Sequence, residues 1–405
     1  MHIGIVGGGF SGLLAAYLLK KRGHGVTVYE KDEQLGGHCR SLIVNKESVE
    51  LGTVFSFNDG IRSLLLELDV SFREQCTCRS FIDDEFSMVE QLTREEVARL
   101  LEELARFEKI LARFAPGFDG ADYGFIHQDL LIPVGEFLSH YELPTIAKIL
   151  APHLSAYGFG AFQEVQAYYA FSVFKLDTIL SFLRGEKLLF MNEGFADLIS
   201  RLAANLADIR YGSAVRSVER AGDRIAVRSD FGEGEHDKVL ISAPLPAGVI
   251  KDPVWDGRMS KIRTNPYFVC IYETENRNLV TSYFRANLEK ADGVQFFHTW
   301  PGKDGCVIAA YAYGDMDPSA VRRVSDDIER SGVSIRRLVC AKRWRIFPHL
   351  DRENLTETFY SELAADGRSG PIGFIGGLVA GPSVSNLYNS VAGFVEGFRP
   401  AKKKR

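Results

Sequence analysis

The first thirty residues alternate between apolar runs and glycine, and this pattern predicts a strand, a tight turn, a helix and a second strand. The β-branched run at residues 2–6 predicts the first strand, and the glycine-rich residues 7–12 predict the turn. An apolar stretch through residue 19 predicts the helix, and residues 26–30 predict the second strand. This order of elements is typical of a βαβ unit that binds a dinucleotide.

The glycines of the turn have separate physical tasks. Gly7 allows the tight bend, Gly9 lets the backbone approach a diphosphate, and Gly12 lets the helix and the strand pack closely. The first helical turn, which contains Phe10 and Ser11, presents unpaired N–H groups and a positive dipole end to the phosphates. A glycine-rich structural turn that binds nothing is the alternative interpretation.

An acidic residue and a glycine doublet follow this unit. Glu30 ends the second strand 18 residues after the last glycine of the turn, near the spacing of about 20 at which a carboxylate accepts from a ribose hydroxyl. An acid there disfavours the 2′-phosphate of NADP, and Lys31 beside it is a further candidate contact. Gly36 and Gly37 would let a loop lie against the dinucleotide, and Arg40 would offer its phosphates a cation. A surface turn with one solvated arginine is the alternative.

Residues 31–41, Lys-Asp-Glu-Gln-Leu-Gly-Gly-His-Cys-Arg-Ser, resemble the glycine doublet and arginine that follow the second strand in the flavin amine oxidase superfamily. The segment at residues 50–53, Glu-Leu-Gly-Thr, is similar to the next segment of that family, where the backbone passes close to the flavin. The resemblance implies that FAD is the cofactor and that Gly52 and Thr53 contact it.

Two later segments resemble other parts of the FAD-binding domain of that superfamily. Around Val215 the backbone would contact the adenine side of the cofactor. Gly376 and Gly377, with a helix expected to begin near Asn389, look like the closing motif of the family beside the flavin. Leu378 stands where the family commonly has an acidic residue, a departure that bears on the ribityl contact.

The resemblance implies an amine-oxidase-like α/β fold. A Rossmann-type FAD-binding domain would be interleaved with a substrate domain that consists of a helical insertion and a mixed β-sheet. A length of 405 residues with 46% hydrophobic content fits two intertwined domains. The expected division assigns residues 1–75, 186–249 and 338–398 to the FAD-binding domain, residues 76–185 and 250–337 to the substrate domain, and residues 399–405 to a basic tail.

The net charge of the protein bears on which partners can bind it, and its cysteines bear on the cellular compartment in which it works. The formal net charge is −5 and the isoelectric point is near 6.0, which argues against nucleic acid as a main partner. Six cysteines without framework spacing predict a reducing cytoplasm, and Cys76 and Cys78 lack the second ligand pair of a metal site. The apolar residues 3–19 are interrupted by glycines and lack a preceding basic region, so neither a signal peptide nor a membrane span is predicted.

Helical periodicity dominates the middle of the chain. Thr93 and Glu96 predict a capping box at the start of a helix that residues 116–117, Pro-Gly, would end. Its predicted core face is Val97, Leu100, Leu101, Leu104, Phe107, Leu111 and Phe114. Further helical stretches are predicted at residues 134–150 and 165–182, and strands of the substrate domain at residues 267–272 and 306–311.

Aromatic residues are unusually dense between residues 157 and 182. They suit either a protein core or the walls of an apolar tunnel. The eight residues are Tyr157, Phe159, Phe162, Tyr168, Tyr169, Phe171, Phe174 and Phe182. A tunnel for a long hydrocarbon would need one polar anchor at its mouth, and Arg79 is the candidate because guanidinium pairs bidentately with carboxylate. A surface arginine neutralised by Asp83 or Asp84 is the alternative.

A closer resemblance covers most of the chain. The order of residues 79–82, 127–133, 156–160, 180–182 and 347–349 is similar to that in bacterial polyunsaturated fatty acid double-bond isomerases, flavoenzymes of the same superfamily. In that family the residues matching Arg79 and Phe182 gate the fatty acid and hold its carboxylate end, and the residue matching Tyr157 lines the channel. Phe159 belongs to the same expected substrate contacts.

The resemblance implies that the flavin N5 accepts a hydride from an allylic or bis-allylic carbon and returns it at another carbon, with no catalytic side chain. His127 and His349 are candidate acid or base groups, against the interpretation of each as a buried, satisfied histidine. Three functions stay open. They are a redox-neutral lipid isomerase, an oxidase or dehydrogenase that passes electrons to an acceptor, and a flavin carrier without turnover. An amine oxidase would have a lysine near N5, for which Lys342 is a positional candidate.

Overall fold

The strands form one all-parallel sheet, one large mixed sheet and three smaller sheets. The computed structural model describes residues 1–57, 60–118, 120–288 and 293–398, so the expected basic tail at residues 399–405 lies outside the described residues. In chain order the strands are β1 (His2–Val6), β2 (Gly25–Tyr29), β3 (Ser41–Val44), β4 (Glu47–Glu50), β5 (Phe72–Gln75), β6 (Arg79–Ile82), β7 (Met88–Val89), β8 (Leu188–Met191), β9 (Ile209–Arg210), β10 (Val215–Ala221), β11 (Arg224–Ser229), β12 (Gly232–His236), β13 (Lys238–Ile241), β14 (Ile262–Thr274), β15 (Thr281–Phe284), β16 (Val294–Pro301), β17 (Cys306–Tyr313), β18 (Ile335–Leu350) and β19 (Ile372–Phe374).

Helices fill most of the connections between strands. In chain order they are α1 (Phe10–Lys21), α2 (Ile61–Glu67), α3 (Arg94–Ala112), α4 (Val134–His140), α5 (Pro144–Ala156), α6 (Ala167–Val173), α7 (Leu176–Arg184), α8 (Phe195–Ala204), α9 (Pro253–Lys261), α10 (Arg285–Leu288), α11 (Pro318–Arg330), α12 (Phe359–Ser369) and α13 (Val384–Glu396). Short 3₁₀ turns lie at Ala115–Gly117, Gln128–Leu130 and Gly376–Leu378. Among the helices in the described ranges, none is long and apolar enough to cross a bilayer.

The parallel sheet has the order β19-β13-β1-β2-β9 and contains the predicted βαβ unit. Its strands are short apolar runs because both of its faces are covered, one by helices and the other by the three-stranded sheet β10-β11-β12. In the middle strand β1, the Ile3 and Ile5 side chains are fully buried, and α1 packs against α13 and α8 on one face. The fold is therefore α/β with a Rossmann-type nucleotide-binding sheet, as the sequence predicts.

The large sheet has the order β18-β14-β17-β16-β15-β6-β7 and contains both predicted substrate-domain strands, within β14 and β17. Its pairs are antiparallel except for β15 and β6, which run parallel. The expected domain boundary between residues 337 and 338 falls inside β18, which pairs with β14 from Ile335 to Leu350. The remaining boundaries stay a prediction.

Two predicted helices are each divided in two, which corrects their boundaries. Residues 134–150 form α4 and the start of α5, separated by a turn in which Glu142 has a φ of 53°. Pro144 cannot continue a helix from the preceding turn and instead occupies the first position of a new one. Residues 165–182 divide into α6 and α7, where Phe174 leaves the helical conformation with a ψ of 66°.

Helix α3 begins with the predicted capping box of Thr93 and Glu96 but presents a different face to the core. Leu100 and Phe107 are buried, whereas Val97 and Leu101 are 53% and 75% exposed, so the predicted core face is wrong at these two positions. The buried Glu103 occupies part of that face instead. Its carboxylate accepts from the backbone N–H groups of residues 145 and 146 and from a threonine hydroxyl, and it thereby caps the start of α5.

Candidate functional site

The amino terminus of α1 carries no capping side chain. Its N-cap residue is Gly9, and the first intrahelical bond runs from the N–H of Leu13 to the carbonyl of Gly9. In the described part of the chain, the N–H groups of Ser11 and Gly12 donate to no protein acceptor. These N–H groups and the positive end of the helix dipole make the terminus a binding site for an anion.

Close backbone packing leaves the terminus without side chains. A Cβ at position 12 would lie 2.0 Å from the carbonyl oxygen of Gly7, which has a φ of 107°. A Cβ at position 8 would lie 2.6 Å from a methyl carbon of Leu35 and 2.9 Å from a carboxylate oxygen of Glu30. Only glycine therefore fits at these positions, as the sequence predicts for Gly7 and Gly12.

The glycine doublet forms the opposite wall. Gly36 donates its N–H to the carbonyl of Gly8 at 2.9 Å, and both Gly36 and Gly37 have a positive φ. A Cβ at Gly9 would find its nearest protein atoms, in this doublet, only at 3.8 Å and beyond. The space beside Gly9 is therefore lined by backbone and open N–H groups, and it fits the diphosphate of a dinucleotide such as FAD.

The carboxylate of Glu30 is buried and held beside the glycine turn. It accepts from the N–H of Gly8 at 2.7 Å and from the N–H of Asp32 at 2.9 Å. This arrangement fixes an acidic group at the carboxyl end of β2, where a ribose contact is predicted. The neighbouring Lys31 is exposed.

The segment before β10 lies against this strand end. Ser213 donates its N–H to the carbonyl of Glu30 at 2.7 Å, and Gly212 donates to the carbonyl of Asp32 at 3.0 Å. These two bonds bring Val215, at the start of β10, close to the end of β2. The structure thus gathers the residues predicted for the adenine and ribose side, and their contacts with FAD remain a prediction.

Arg40 is occupied by acceptors of its own loop. Its guanidinium pairs with the carboxylate of Asp32 at 2.6 Å and donates to the carbonyls of Gln34 at 2.6 Å and Leu35 at 3.2 Å. It therefore closes the loop that carries the glycine doublet. A contact between this cation and the cofactor phosphates stays a prediction.

The segment predicted to pass the flavin runs beside the residues that follow the doublet. Thr53 donates its N–H to the carbonyl of His38 at 2.9 Å, and a Cβ on Gly52 would meet that same oxygen at 2.4 Å. The buried thiol of Cys39 lies 3.6 Å from the Thr53 hydroxyl. Burial raises the pKa of this thiol to about 12, so it stays protonated and is not a nucleophile.

Glu50 joins this segment to α8. Its carboxylate accepts from the N–H of Phe195 at 2.9 Å and from the hydroxyl of Ser41 at 2.7 Å, because the N-cap of α8, Gly194, offers no side chain. Burial raises the pKa of Glu50 to about 8. The sequence analysis includes Glu50 in the segment expected to pass the flavin, but it does not predict that the carboxylate caps α8.

The closing turn returns the chain to the start of α1. A Cβ on Gly376, which has a φ of 65°, would lie 2.4 Å from the side chain of Ser11, so the turn packs on the first helical turn. Gly377 follows it, within the turn Gly376–Leu378. The expectation that a helix begins near Asn389 is wrong. Helix α13 begins at Val384, because Ser383 caps it by accepting from a backbone N–H at 3.1 Å.

Asn389 therefore lies in the second turn of α13. Its side-chain oxygen would be 2.5 Å from a Cβ at Gly60, the N-cap of α2. The Asn389 side chain therefore contributes to the packing of α13 against α2. Leu378, where the family commonly has an acid, is buried.

On the substrate side, Arg79 of β6 lies over an aromatic ring. Its guanidinium carbon is 4.8 Å from the ring centre of Phe182, and Nη1 lies 3.4 Å from Nε2 of His153. Within the described ranges, no carboxylate lies within ion-pair distance of Arg79. The carboxylate of Asp83 accepts from two backbone N–H groups of its own turn instead, so the described structure does not support neutralisation by Asp83 or Asp84.

Aromatic rings surround this arginine. Phe182 stacks on His153 with centres 4.0 Å apart, and Phe57 lies between Phe182, at 5.8 Å, and Tyr157, at 6.2 Å. Burial lowers the pKa of His153 well below its ordinary value, so its ring is neutral. Phe159 lies further along, against Phe174 and Phe347.

The dense aromatic segment thus divides into two groups. Tyr157 and Phe182 lie around Arg79 and are only partly buried. The other six are buried, and among them Tyr168 and Tyr169 use their hydroxyls to accept from backbone N–H groups. For Phe162, Tyr168, Tyr169, Phe171 and Phe174 the core interpretation holds, whereas a substrate contact at Phe159 stays a prediction.

A row of stacked rings crosses the large sheet, and sequence reasoning missed it. It consists of Phe81, Tyr283, Phe296, Tyr311 and Tyr267, on the five strands β6, β15, β16, β17 and β14. Successive centres are 5.6, 5.3, 4.7 and 5.9 Å apart, and interplanar angles lie between 12° and 22°. We call this row the aromatic ladder. The two predicted strands contain only Tyr267 and Tyr311 of this row, so the sequence carried no clear signal for it.

The remaining candidates are the two histidines considered as acid or base groups and the lysine considered for a contact with flavin N5. In the described structure, none of the three is among the contacts of Arg79. His127 accepts from a backbone N–H within its own turn at 3.2 Å, and Nδ1 of His349 lies 2.7 Å from the carbonyl of Phe347. Lys342 stands opposite Val269 on β14, with its ammonium 4.8 Å from the ring centre of Trp344. No metal-binding cluster of His, Cys, Asp or Glu occurs in the described residues.

Comparisons with known proteins agree with this geometry. The family described as flavin containing amine oxidoreductase matches residues 10–279. A conjugated-linoleic-acid-producing fatty acid isomerase from P. acnes superposes with a TM-score of 0.85 over 97% of each chain at 20% identity. A double mutant of putrescine oxidase superposes with a TM-score of 0.73 over 98% of each chain at 16% identity. At such identities these two likenesses show the fold.

Among curated proteins, (S)-6-hydroxynicotine oxidase of Paenarthrobacter nicotinovorans is 26% identical over 269 residues, which are 60% of this chain and 59% of that protein. Shorter matches include a protoporphyrinogen oxidase of Arabidopsis thaliana, 40% identical over 76 residues. The chain spans less than two thirds of the length of the curated relatives it matches, from 9% to 66%.

We predict that Gly9→Ala lowers FAD affinity about tenfold or more while the fold is retained. The backbone at Gly9 has a φ of −77°, which alanine adopts, and the protein leaves room for its Cβ, so the added methyl group can clash only with the cofactor. FAD titration of the apoprotein and far-UV circular dichroism measure the two effects. Gly393→Ala, in open space on α13, is the control and should bind FAD normally. Equal FAD affinity of both variants would contradict the prediction.

Glu50 gives the stability a specific pH dependence. Because its pKa is about 8 in the folded protein and ordinarily 4.5, the folded state binds more protons than the unfolded state between these values. The contribution of Glu50 to stability is thus complete below about pH 4.5 and is lost as the pH rises through 8. Glu50→Gln should therefore have a higher thermal midpoint than wild type at pH 8–9, by a margin that shrinks towards pH 5. Parallel curves would contradict this, and the exposed Glu47→Gln is the control.

Proposed function

This chain belongs to the flavin containing amine oxidoreductase family, and from that premise we propose that it moves double bonds along a polyunsaturated fatty acid. It is an FAD-dependent enzyme, and its cradle around Gly9 fits that cofactor. The observation that carries the proposal is the partly buried Arg79, which has no carboxylate partner in the described ranges and lies among aromatic rings.

The charge of Arg79 selects the head of the substrate. A guanidinium removed from water is costly unless an anion pairs with it, and it binds a carboxylate through two parallel hydrogen bonds. His153 is neutral and offers one acceptor, which leaves the positive charge uncompensated. A monocarboxylate substrate supplies the missing anion.

The rings select the body of the substrate. Phe57, Tyr157 and Phe182 supply rigid apolar surface beside the arginine, and such walls fit a hydrocarbon chain and exclude water. The fatty acid isomerase from P. acnes has the same overall fold, which supports this substrate class. We propose Arg79, Tyr157, Phe159 and Phe182 as substrate contacts.

When bound, the flavin supplies hydride acceptance and hydride return at N5. The residues of this chain orient the substrate and keep water out. His127 accepts from a backbone N–H of its own turn, and the ring of His349 lies against the carbonyl of Phe347. No side chain is assigned as acid or base in this reaction.

Oxidation of an amine is the second candidate, and the similarity to (S)-6-hydroxynicotine oxidase favours it. Arg79 argues against it, because a cation at the substrate contacts repels an ammonium group. An oxidase would also pass its electrons to an acceptor and consume oxygen.

We further propose the expected domain division, with the whole of β18 assigned to the substrate domain. We also propose that the protein works in the reducing cytoplasm. All six cysteines are free, and two of them, Cys76 and Cys78, are exposed. This usage fits a compartment in which thiols stay reduced.

The proposed reaction predicts conjugated diene absorbance from linoleic acid under anaerobic conditions. A catalytic amount of holoenzyme should form product beyond one equivalent of flavin, because the hydride returns to the substrate and no acceptor is needed. Absorbance and oxygen uptake in matched aerobic samples measure this. Flavin bleaching without diene, or product only with oxygen, would contradict isomerisation and favour a dehydrogenase or an oxidase.

We predict that Arg79→Ala weakens binding of linoleic acid about 10- to 100-fold and of its methyl ester far less, since the ester carries no charge for the guanidinium. The shift of the flavin spectrum on titration gives both dissociation constants. Arg73→Ala is a matched control, because Arg73 also lies over a ring, that of Phe190, but outside the contacts of Arg79. Equal losses for acid and ester would remove Arg79 from the anchor role.

A further inference from the structure

Two phenol hydroxyls without partners lie beside Arg79. Tyr283 is 5% exposed and Tyr157 partly buried, and within the described ranges neither hydroxyl has a hydrogen-bond partner. Neither hydroxyl belongs to the enclosed side-chain atoms that lack a partner, so both face open space. A ligand that enters this space can supply the missing acceptor.

Strand register places Tyr283 on the same face as Arg79. Strands β6 and β15 run parallel with Arg79 opposite Thr281 and Phe81 opposite Tyr283. Side chains two residues apart on a strand point to the same side of a sheet. The stacking of Tyr283 on Phe81, at 5.6 Å, confirms this direction.

Tyr157 approaches from the opposite wall. It is the C-cap residue of α5, and its ring stacks on Phe57, which also touches the Phe182 ring under the guanidinium of Arg79. The two phenols therefore come from separate elements, one from the sheet and one from the helices.

Electrostatics agree with this placement. Burial raises the pKa of both phenols, and in each case the Arg79 charge opposes the rise, in agreement with the register and the ring contacts. Tyr283 also contributes to the raised pKa of Tyr157. Both hydroxyls remain protonated at neutral pH and are available as donors.

The neighbouring tyrosines on this face of the sheet differ from Tyr283. The hydroxyl of Tyr267 also lacks a partner in the described ranges, but it is enclosed by protein. Tyr313 donates its hydroxyl to the carbonyl of Ser155 at 3.0 Å, and Tyr311 donates to the carbonyls of Glu50 and Gly52 at 3.3 and 3.4 Å. These two rings belong to the same face of the sheet, yet their hydroxyls are satisfied by protein.

We propose that the hydroxyls of Tyr157 and Tyr283 donate, together with Arg79, to the carboxylate of the substrate. This inference rests on the proposed function and adds two specificity-determining residues to it. One cation and two neutral donors, with no acid among them, form an anion site with capacity for both oxygens of one carboxylate. The acid head is then bound inside the aromatic walls, and esters and amides are poor ligands.

The test compares Tyr283→Phe and Tyr157→Phe in the holoenzyme. Decanoic acid and methyl decanoate are the probes, because a saturated chain binds without turnover. Each variant should bind the acid about 5- to 10-fold more weakly and the ester equally well. With linoleic acid, KM should rise while kcat is unchanged. Tyr313→Phe, which removes a hydroxyl already satisfied by protein, is the matched control and should leave acid affinity unchanged.

Each outcome separates the two proposals. Unchanged acid affinity in both variants, or equal losses for acid and ester, would overturn the three-donor site alone. Acid binding that depends on the phenols, without any conjugated diene from linoleic acid, would overturn the proposed isomerisation and leave the site standing. A wild-type enzyme that binds neither probe would overturn both.

Discussion

The structure depends on one close backbone approach, between the carbonyl of Gly7 and the α-carbon of Gly12. Only residues 7–9 separate β1 from α1. No side chain fits in this turn, and the N–H groups of Ser11 and Gly12 are left without protein acceptors in the described part of the chain. Segments from distant parts of the chain gather around this bare terminus. The doublet at Gly36 pairs with the turn, and Gly376 packs on Ser11. The cofactor cradle is therefore made of backbone, and its shape follows from where side chains are missing.

On the substrate side, in contrast to the cofactor cradle, the groups that can contact a ligand are side chains and not backbone. Among the described residues, Arg79 brings a charge without an anion, the phenols bring donors without acceptors, and the surrounding rings bring apolar surface without polar groups. The fatty acid proposed as substrate would supply the anion, the hydrogen-bond acceptors and a matching apolar chain. The cofactor side of the site is thus built from backbone and the substrate side from side chains. The two sides meet where the hydroxyl of Tyr311 donates to the carbonyl of Gly52.

The sequence predicted best what local rules decide. The glycine turn of α1 and the capping box of Thr93 are set within a few residues, and both occur as predicted. The start of α13 was missed because Ser383, an ordinary serine, provides the cap. The burial of Glu103 in place of Leu101 depends on an N–H group about forty residues away, and the aromatic ladder depends on pairing between residues 81 and 283. No local pattern contains such pairings.

The aromatic ladder has a consequence for how this enzyme can change. Its rings come from strands that are scattered from residue 79 to residue 313 and are held by register, so one ring cannot be exchanged without repacking its neighbours. The facing wall, which contains His153, Tyr157 and Phe182, comes from a single contiguous stretch, α5 to α7. Substitutions of these three side chains alter one wall of the candidate substrate site without changing the register of the strands that carry the ladder.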